Sequence, residues 1–174
     1  MANSKKGILF DLDETLVLTS ALEPLRRLRN WPKVYANFAL TQLPPDTLKF
    51  VSDLRALGDV EIGVVTKAPR PYAQKLLSFH GLDVPVIVAY HDVSRQKPHP
   101  EALLKAAAEL ELPSGRCIYI GDHPDDMEAA AAARCVGIGV TWAGECGIAG
   151  AYESWQAVYD RVVLICEQLN GQDI

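Results

Sequence analysis

Long apolar runs are missing from this chain, and cysteines are few. None of the 174 residues belongs to a stretch approaching the ~20 apolar residues that a membrane-spanning helix requires. The cysteines, at Cys117, Cys135, Cys146 and Cys166, form no CxxC pair, so neither a zinc cluster nor a dithiol redox site is predicted. The first, second and fourth lie within apolar segments, where a thiol usually behaves as a small buried hydrophobe.

An excess of positive charge is also missing. The formal net charge is −5, which argues against nonspecific binding to nucleic acid or to a membrane surface by bulk electrostatics. Near the start of the sequence, the apolar stretch Gly7–Phe10 is too short for the core of a signal peptide. A reducing, cytoplasmic location is therefore expected.

Short apolar runs alternate along the chain with longer amphipathic segments. The apolar runs predict five buried strands, at Gly7–Phe10, Val60–Val65, Val84–Ala89, Arg116–Ile120 and Cys135–Val140. Spacings of three and four apolar positions predict helices, at Asp46–Leu57, Pro69–His80, Pro100–Glu111, Pro124–Arg134 and a last one through Trp155 and Leu169. This alternation predicts an α/β fold with a doubly wound, Rossmann-like parallel sheet in one domain spanning residues 1–174.

Polar side chains follow the predicted strands at the point where each strand ends. They are Asp11 and Asp13, Thr66 and Lys67, Lys97 in the loop after the third strand, Asp122 with Asp125 and Asp126, and Thr141. Sheets of this kind bind ligands in the crevice outside the carboxyl ends of their strands. Neighbouring carboxylates repel one another, and Mg²⁺ relieves such repulsion because it prefers oxygen ligands. A lysine and a threonine nearby suit a phosphoryl group.

Each of these residues also has an ordinary structural interpretation. A DxD sequence is common in surface turns, Thr66 is a plausible helix N-cap, and Lys97 suits a solvated loop. Asp125 and Asp126 would favourably face a helix dipole. All of these positions fall on one edge of the predicted sheet, however, and that coincidence favours phosphoryl-transfer chemistry.

Four motifs in order resemble the haloacid dehalogenase-like superfamily, in its phosphoglycolate phosphatase-like branch. They are Asp11–Leu16 (DLDETL), Val64–Thr66 (VVT), Lys97–Glu101 (KPHPE) and Ile118–Asp126 (IYIGDHPDD). Their leading polar residues Asp11, Thr66, Lys97 and Asp122 are separated by 55, 31 and 25 residues. The resemblance covers nearly the whole chain and implies a phosphatase.

The resemblance implies a role for each residue around the phosphoryl group. Asp11 would be the nucleophile that forms an aspartyl-phosphate. Asp13 would protonate the leaving oxygen and then deprotonate the hydrolytic water. Thr66 and Lys97 would hold the phosphate oxygens, and Lys97 would also offset the charge on Asp11. Lys67, next to Thr66, would also bind substrate.

The resemblance also implies a Mg²⁺ site. Asp11, Asp122 and the backbone carbonyl of Asp13 would bind the ion, and Asp126 would support its water shell. The chain departs from the family pattern at His123, where the branch usually has serine or threonine. His123 would either contact substrate or cap the following helix, and Arg70 would be either a second phosphate contact or a surface charge.

The segment at about 16–45 takes the place of a larger cap domain in related enzymes. It is basic at Arg26, Arg27, Arg29 and Lys33, which indicates either a solvated helix face or a positive rim that attracts an anionic substrate. A reduced cap leaves the cleft open to a macromolecule such as a phosphoprotein or a nucleic-acid end. Alternatively, self-association through exposed side chains would supply a lid, with anchors at Trp31, Tyr35 and Phe38.

The predicted function is that of a Mg²⁺-dependent phosphomonoester hydrolase, with a small phosphorylated molecule favoured over a macromolecule as substrate. A phosphomutase is the nearest alternative within phosphoryl transfer, but it would need a cap that excludes water. A catalytically silent interaction module is the alternative from another class. It is disfavoured because every polar motif residue is present.

Overall fold

The computed structural model describes residues 5–142 and 146–171. Its centre is a sheet of parallel strands in the order β3-β2-β1-β4-β5. The strands are β1 (Lys6–Phe10), β2 (Val60–Val65), β3 (Val86–Val88), β4 (Cys117–Gly121) and β5 (Val136–Gly139). The predicted doubly wound parallel sheet is thereby confirmed.

Helices cover both faces of the sheet. They are α1 (Glu23–Arg27), α2 (Trp31–Ala36), α3 (Thr47–Ala56), α4 (Arg70–Phe79), α5 (Glu101–Glu109), α6 (Pro124–Ala133) and α7 (Trp155–Gly171). In β1, Ile8 and Phe10 pack with α3, α4 and α7, whereas Leu9 packs with α5 and α6. Because both faces are buried, the strands are apolar at nearly every position.

The third strand is shorter than its apolar run predicts. The sequence predicts Val84–Ala89, but the strand covers Val86–Val88. Pro85 lacks the N–H that a strand needs for pairing, and the N–H of Ala89 turns away to the carboxylate of Asp92, at 2.6 Å. The other strands and the helices begin and end within about two residues of the predicted positions.

The segment between β1 and α3 contains two short helices and two 3₁₀ turns. Leu22, Val34 and Phe38 from this segment are buried in the core. The expectation of an exposed Phe38 is therefore wrong: only 6% of it is exposed, because its ring packs against helix α4. Leu28, by contrast, is 77% exposed.

The thiols of Cys117, Cys135 and Cys166 are buried and free, as predicted. Burial raises the pKa of Cys117 to about 11 and that of Cys135 to about 12, so both thiols stay protonated near neutral pH. Among the described residues, no helix combines the length and apolar character needed to cross a bilayer.

Candidate functional site

The site lies where the chain reverses direction across the sheet. From β1 the chain passes to β2 and β3 on one side, and then crosses to β4 on the other. Asp11 directly follows β1, and its backbone N–H donates to the carbonyl of Ile120 in β4, at 2.9 Å. A crevice forms at such a switch point because the flanking loops diverge there.

Lys97 is the buried cation at the centre of the site. Its Nζ donates to Oδ1 of Asp11 at 2.8 Å, to Oδ1 of Asp126 at 2.7 Å and to the hydroxyl of Tyr119 at 2.7 Å. Burial alone would lower the pKa of Lys97, but the carboxylates of Asp11 and Asp126 more than offset that effect and raise it. Lys97 is therefore a charged donor within the protein, and its interpretation as a solvated loop residue is wrong.

Three carboxylates converge beside this lysine. Asp11, Asp122 and Asp126 each offer an oxygen, and these oxygens all lie within 4.8 Å of one another. Burial raises the pKa of Asp11 to about 7 and also raises that of Asp122, and the nearby carboxylate of Asp126 adds to both shifts. A group of hard oxygen ligands with excess negative charge fits Mg²⁺.

Two residues that the sequence interpretation did not select hold Asp122 in place. The hydroxyl of Thr15 donates to Oδ1 of Asp122 at 2.8 Å. Trp142 Nε1 in turn donates to the carbonyl of Thr15 at 2.9 Å. Thr15 lies within the DLDETL motif and could have been selected on that basis, whereas nothing local to Trp142 indicates this contact.

The start of α6 determines which of two neighbouring aspartates reaches the cluster. His123 Nδ1 accepts from the N–H of Asp125 at 3.1 Å, and Oδ2 of Asp126 accepts from the N–H of His123 at 3.1 Å. This reciprocal arrangement is a helix capping box, so His123 serves as a cap. It leaves Asp126 buried in the cluster and Asp125 in an ion pair with Lys67 at 2.6 Å.

Gly121, the last residue of β4, leaves room for the Asp126 side chain. A Cβ atom placed on Gly121 would lie 2.6 Å from Cγ of Asp126, closer than van der Waals contact allows.

We expect Gly121→Ala to displace Asp126 and to lower the free energy of unfolding by about 1–3 kcal/mol. Chemical denaturation would measure this loss. Gly115→Ala is the control, because its Cβ would meet nothing closer than 4.0 Å; equal losses in both variants would contradict the explanation.

Asp13 lies outside the three-carboxylate cluster. Its Oδ1 accepts from the hydroxyl of Thr19 at 2.8 Å, from Nη1 of Arg26 at 2.6 Å and from the hydroxyl of Tyr72 at 2.7 Å. Burial raises the pKa of Tyr72, so its hydroxyl remains a neutral donor. Asp13 thus connects β1 to α1 and α4, and the DxD spacing alone did not indicate any of these partners.

Thr66 and Lys67 follow β2 at the edge of the same crevice. Thr66 is buried, and its hydroxyl accepts from the N–H of Ala68 at 3.0 Å. It is not the N-cap of α4, since that position belongs to Pro69. Lys67 is half-exposed and paired with Asp125.

Two further residues singled out by the sequence, Arg70 at the start of α4 and Thr141 after β5, do not line the cavities at this edge of the sheet. Arg70 donates to the carbonyl of Ile87 at 2.7 Å and to the carboxylate of Asp92 at 2.6 Å, so it anchors the loop after β3. Thr141 pairs through its backbone N–H with the carbonyl of Tyr152 at 2.9 Å.

Two adjoining cavities open onto these residues. The smaller, of about 250 Å³, is lined by Asp11, Asp13, Arg26, Thr66, Lys67, Ala68, Lys97, Asp122, His123, Asp125 and Asp126. We call it the phosphate pocket. The larger, of about 640 Å³, shares Asp13, Arg26, Lys67 and Ala68 with it and extends along the segment between β1 and α3. We call it the outer cavity.

Comparisons with known proteins find similarity to one family. The family model of the haloacid dehalogenase-like hydrolases matches residues 23–134. A curated phosphoglycolate phosphatase of Salmonella typhimurium is 32% identical over 155 residues, which are 86% of this chain and 60% of the relative. A phosphoglycolate phosphatase of Escherichia coli is 33% identical over 106 residues, 59% of this chain and 41% of the relative. The chain therefore spans at most about 60% of the length of these relatives.

Solved structures show the same fold. A predicted phosphoglycolate phosphatase of Haemophilus somnus superposes with a TM-score of 0.75 at 20% identity, covering 93% of this chain and 100% of that one. A haloacid dehalogenase-like hydrolase of Bacteroides fragilis superposes with a TM-score of 0.66 at 27% identity, covering 88% and 93%.

Proposed function

Because the chain belongs to the haloacid dehalogenase-like hydrolase family, we propose that it is a Mg²⁺-dependent phosphomonoester hydrolase. This membership confirms the resemblance of its motifs. The observation that carries this proposal is the position of Asp11. Its carboxylate is bonded to buried Lys97, faces Asp122 and Asp126, and lines the phosphate pocket. The pocket thus combines a nucleophile with a cation for the phosphoryl oxygens.

Hydrolysis would take place in two steps. Lys97 binds Oδ1 of Asp11, so the other carboxylate oxygen attacks phosphorus and the ester P–O bond breaks. Asp13 donates a proton to the departing oxygen from Oδ2, because its Oδ1 accepts from Thr19, Arg26 and Tyr72. Asp13, now ionised, accepts a proton from a water molecule, and the resulting hydroxide attacks the phosphorus of the aspartyl-phosphate. The bond from phosphorus to Asp11 breaks, inorganic phosphate leaves, and both aspartates return to their starting forms.

The position of Asp13 suits its role as acid and base. It lines both the phosphate pocket and the outer cavity. The ester oxygen of a substrate joins the phosphoryl group in the first cavity to the leaving group in the second. A carboxyl group at this junction is therefore within range of the oxygen that must be protonated.

The residues present fit the proposed Mg²⁺ site. Asp11 and Asp122, with the backbone carbonyl of Asp13, would hold the ion, and Asp126 would support its water ligands. When bound, Mg²⁺ would supply positive charge that stabilises the transferring phosphoryl group. Thr66 and Lys67, at the rim of the pocket, would bind the remaining phosphate oxygens.

Residues 16–45 would form a reduced cap on a single domain. This segment has only two short helices, too few to form a separate cap domain over the phosphate pocket, so we expect water to reach the intermediate. This arrangement favours hydrolysis over a phosphomutase reaction, which must exclude water. The named activity of the phosphoglycolate phosphatase relatives favours a small phosphorylated metabolite over a macromolecule.

A phosphate-release assay tests this proposal. The protein is incubated with a panel of phosphomonoesters that includes phosphoglycolate, with Mg²⁺ or with a chelator. We expect release of inorganic phosphate from at least one ester in the presence of Mg²⁺ only. Isomerisation of a sugar phosphate without phosphate release would instead identify a phosphomutase, and inactivity on the whole panel would contradict the proposal.

Binding of Mg²⁺ has a second consequence that does not depend on turnover. A ligand at 100 times its dissociation constant stabilises a folded protein by about 2.7 kcal/mol, so the unfolding temperature should rise with Mg²⁺ concentration. Asp122→Asn should reduce this rise, whereas Asp53→Asn, on the exposed face of α3, should leave it unchanged. A Mg²⁺ effect of equal size in Asp122→Asn would place the ion elsewhere.

A further inference from the structure

The outer cavity has the size of a ligand site. Its volume is about 640 Å³, within the roughly 300–1,000 Å³ typical of small-molecule pockets. At about 30 Å³ per water molecule it would hold roughly twenty waters, which is far more space than a two-carbon leaving group fills. It is lined by Asp13, Glu14, Thr19, Ser20, Glu23, Arg26, Arg27, Arg29, Trp31, Lys67, Ala68, Pro69, Tyr90 and His91.

Most charged groups in this cavity already have partners. The ion pairs are Arg26 with Asp13, Arg27 with Glu23, and Lys67 with Asp125, each at 2.6 Å. The carboxylate of Glu14 accepts from the N–H of Thr19 at 2.7 Å and, more weakly, from its hydroxyl at 3.3 Å. The charges of the ion pairs cancel, whereas the Glu14 carboxylate is held by neutral donors.

Arg29 is different. Its guanidinium is exposed and makes no hydrogen bond or ion pair within residues 5–142 and 146–171. Its backbone has a φ of 52°, a left-handed conformation that is uncommon for a residue with a side chain. The tight turn between α1 and α2 thus presents to the cavity a cation that has no partner in the described part of the chain. A planar guanidinium binds a carboxylate or phosphate through two parallel hydrogen bonds.

Aromatic side chains supply the apolar part of the lining. The ring of Trp31 is half-buried and packs against the rings of Tyr35 and Tyr72, with centroids 6.4 and 5.9 Å away. Packing of this kind holds Trp31 in one orientation. Tyr90, at the end of β3, is 47% exposed and lines the same cavity. Fixed aromatic surfaces bind planar rings by offset stacking or edge contacts.

We infer that the outer cavity binds the leaving group of the substrate and selects one that carries an aromatic ring and a second anionic group. Trp31 and Tyr90 would contact the ring, and Arg29 would bind the anion. The inference rests on the proposed function, since the phosphate pocket holds the phosphoryl group of the same molecule. It adds a substrate class that differs from phosphoglycolate in size and in its ring.

Calorimetry with non-hydrolysable probes tests this inference. Benzylphosphonate and 4-carboxybenzylphosphonate differ only in the carboxylate, and methylphosphonate lacks the ring; all three are titrated in the presence of Mg²⁺. We expect the carboxylated probe to bind about 10-fold more tightly than benzylphosphonate, and Arg29→Gln to remove this preference. Tyr90→Ala should weaken both benzyl probes about 5-fold relative to methylphosphonate.

Lys33→Gln is the matched control for Arg29→Gln. It removes the same charge from an exposed position in α2 that does not line the cavity. If Lys33→Gln lowers the preference as much as Arg29→Gln does, the effect is a long-range field and the inference fails. Equal affinity of the unmodified protein for both benzyl probes also overturns it.

A parallel assay of phosphate release from phenyl phosphate separates this inference from the proposed function. Hydrolysis without the probe preference contradicts the inference and leaves the proposed function intact. The probe preference without hydrolysis of any ester contradicts the proposed function, while the binding site remains as inferred.

Discussion

Asp11→Asn is expected to lower kcat for phosphate release by more than about 10³-fold, whichever phosphomonoester is used. The amide keeps the shape of the side chain but is a far weaker nucleophile than a carboxylate. The pocket, Lys97 and Asp13 would stay in place, so only the formation of the aspartyl-phosphate is lost. Single-turnover release of inorganic phosphate measures the effect directly.

The loss should not result from unfolding. Burial raises the pKa of Asp11 from 3.8 to about 7, so this carboxyl lowers the free energy of unfolding progressively as the pH rises from 3.8 to about 7. The cost is fully present above pH 7 and is absent only below the unfolded pKa. The neutral amide avoids this cost, and the unfolding temperature at pH 8 should stay within a few degrees of the unmodified value. Asp53→Asn serves as the control for activity, and intact-mass measurement excludes deamidation back to aspartate. Retained activity in verified Asp11→Asn would mean that another site does the chemistry.

Lys97→Met is expected to reduce both activity and stability. In the unmodified protein, Nζ of Lys97 lies 2.8 Å from Asp11 and 2.7 Å from Asp126. In the variant these two carboxylates would face each other without that cation. Loss of one partner from a buried ion pair costs about 3–5 kcal/mol. Loss of a donor to the developing phosphoryl charge should lower kcat about 10²–10³-fold. Urea denaturation and the phosphate assay measure the two effects.

A second variant covers the case in which Lys97→Met does not fold. Asp11→Asn combined with Lys97→Met removes one of the unbalanced carboxylates, so it should recover part of the lost stability. Lys49→Met is the matched control, because its exposed pair with Asp53 should contribute under about 1 kcal/mol. If Lys97→Met were as stable as Lys49→Met, the buried lysine would not be balancing these aspartates.

The strand pattern could be predicted because burial on both faces leaves a local signal. Each strand is a continuous apolar run, and a parallel sheet brings the residues after Phe10, Val65 and Gly121 to one edge. Which aspartates form the acidic cluster was harder to predict from the sequence. Asp125 and Asp126 are the same residue type, so composition does not separate them. The motif resemblance favoured Asp126, and the capping geometry at His123 gives the physical reason.

The contacts of Asp13 and the two cavities could not be predicted in this way. The hydroxyl of Tyr72 reaches Asp13 across 59 residues of sequence, and Phe38 is covered by a helix that follows it in the chain. Nothing in the local spacing of these residues indicates such partners, because loop paths and helix packing determine them.

The amino-acid sequence alone therefore determined the parallel sheet and the edge where the acidic and basic side chains meet, since apolar periodicity is a local property of the chain. Tertiary structure alone decided that Lys97 also bonds to Asp126 and that Arg29, which has no partner among the described residues, lines the outer cavity. Those arrangements depend on contacts between segments far apart in sequence and on the exclusion of water between them, neither of which is encoded at a single position.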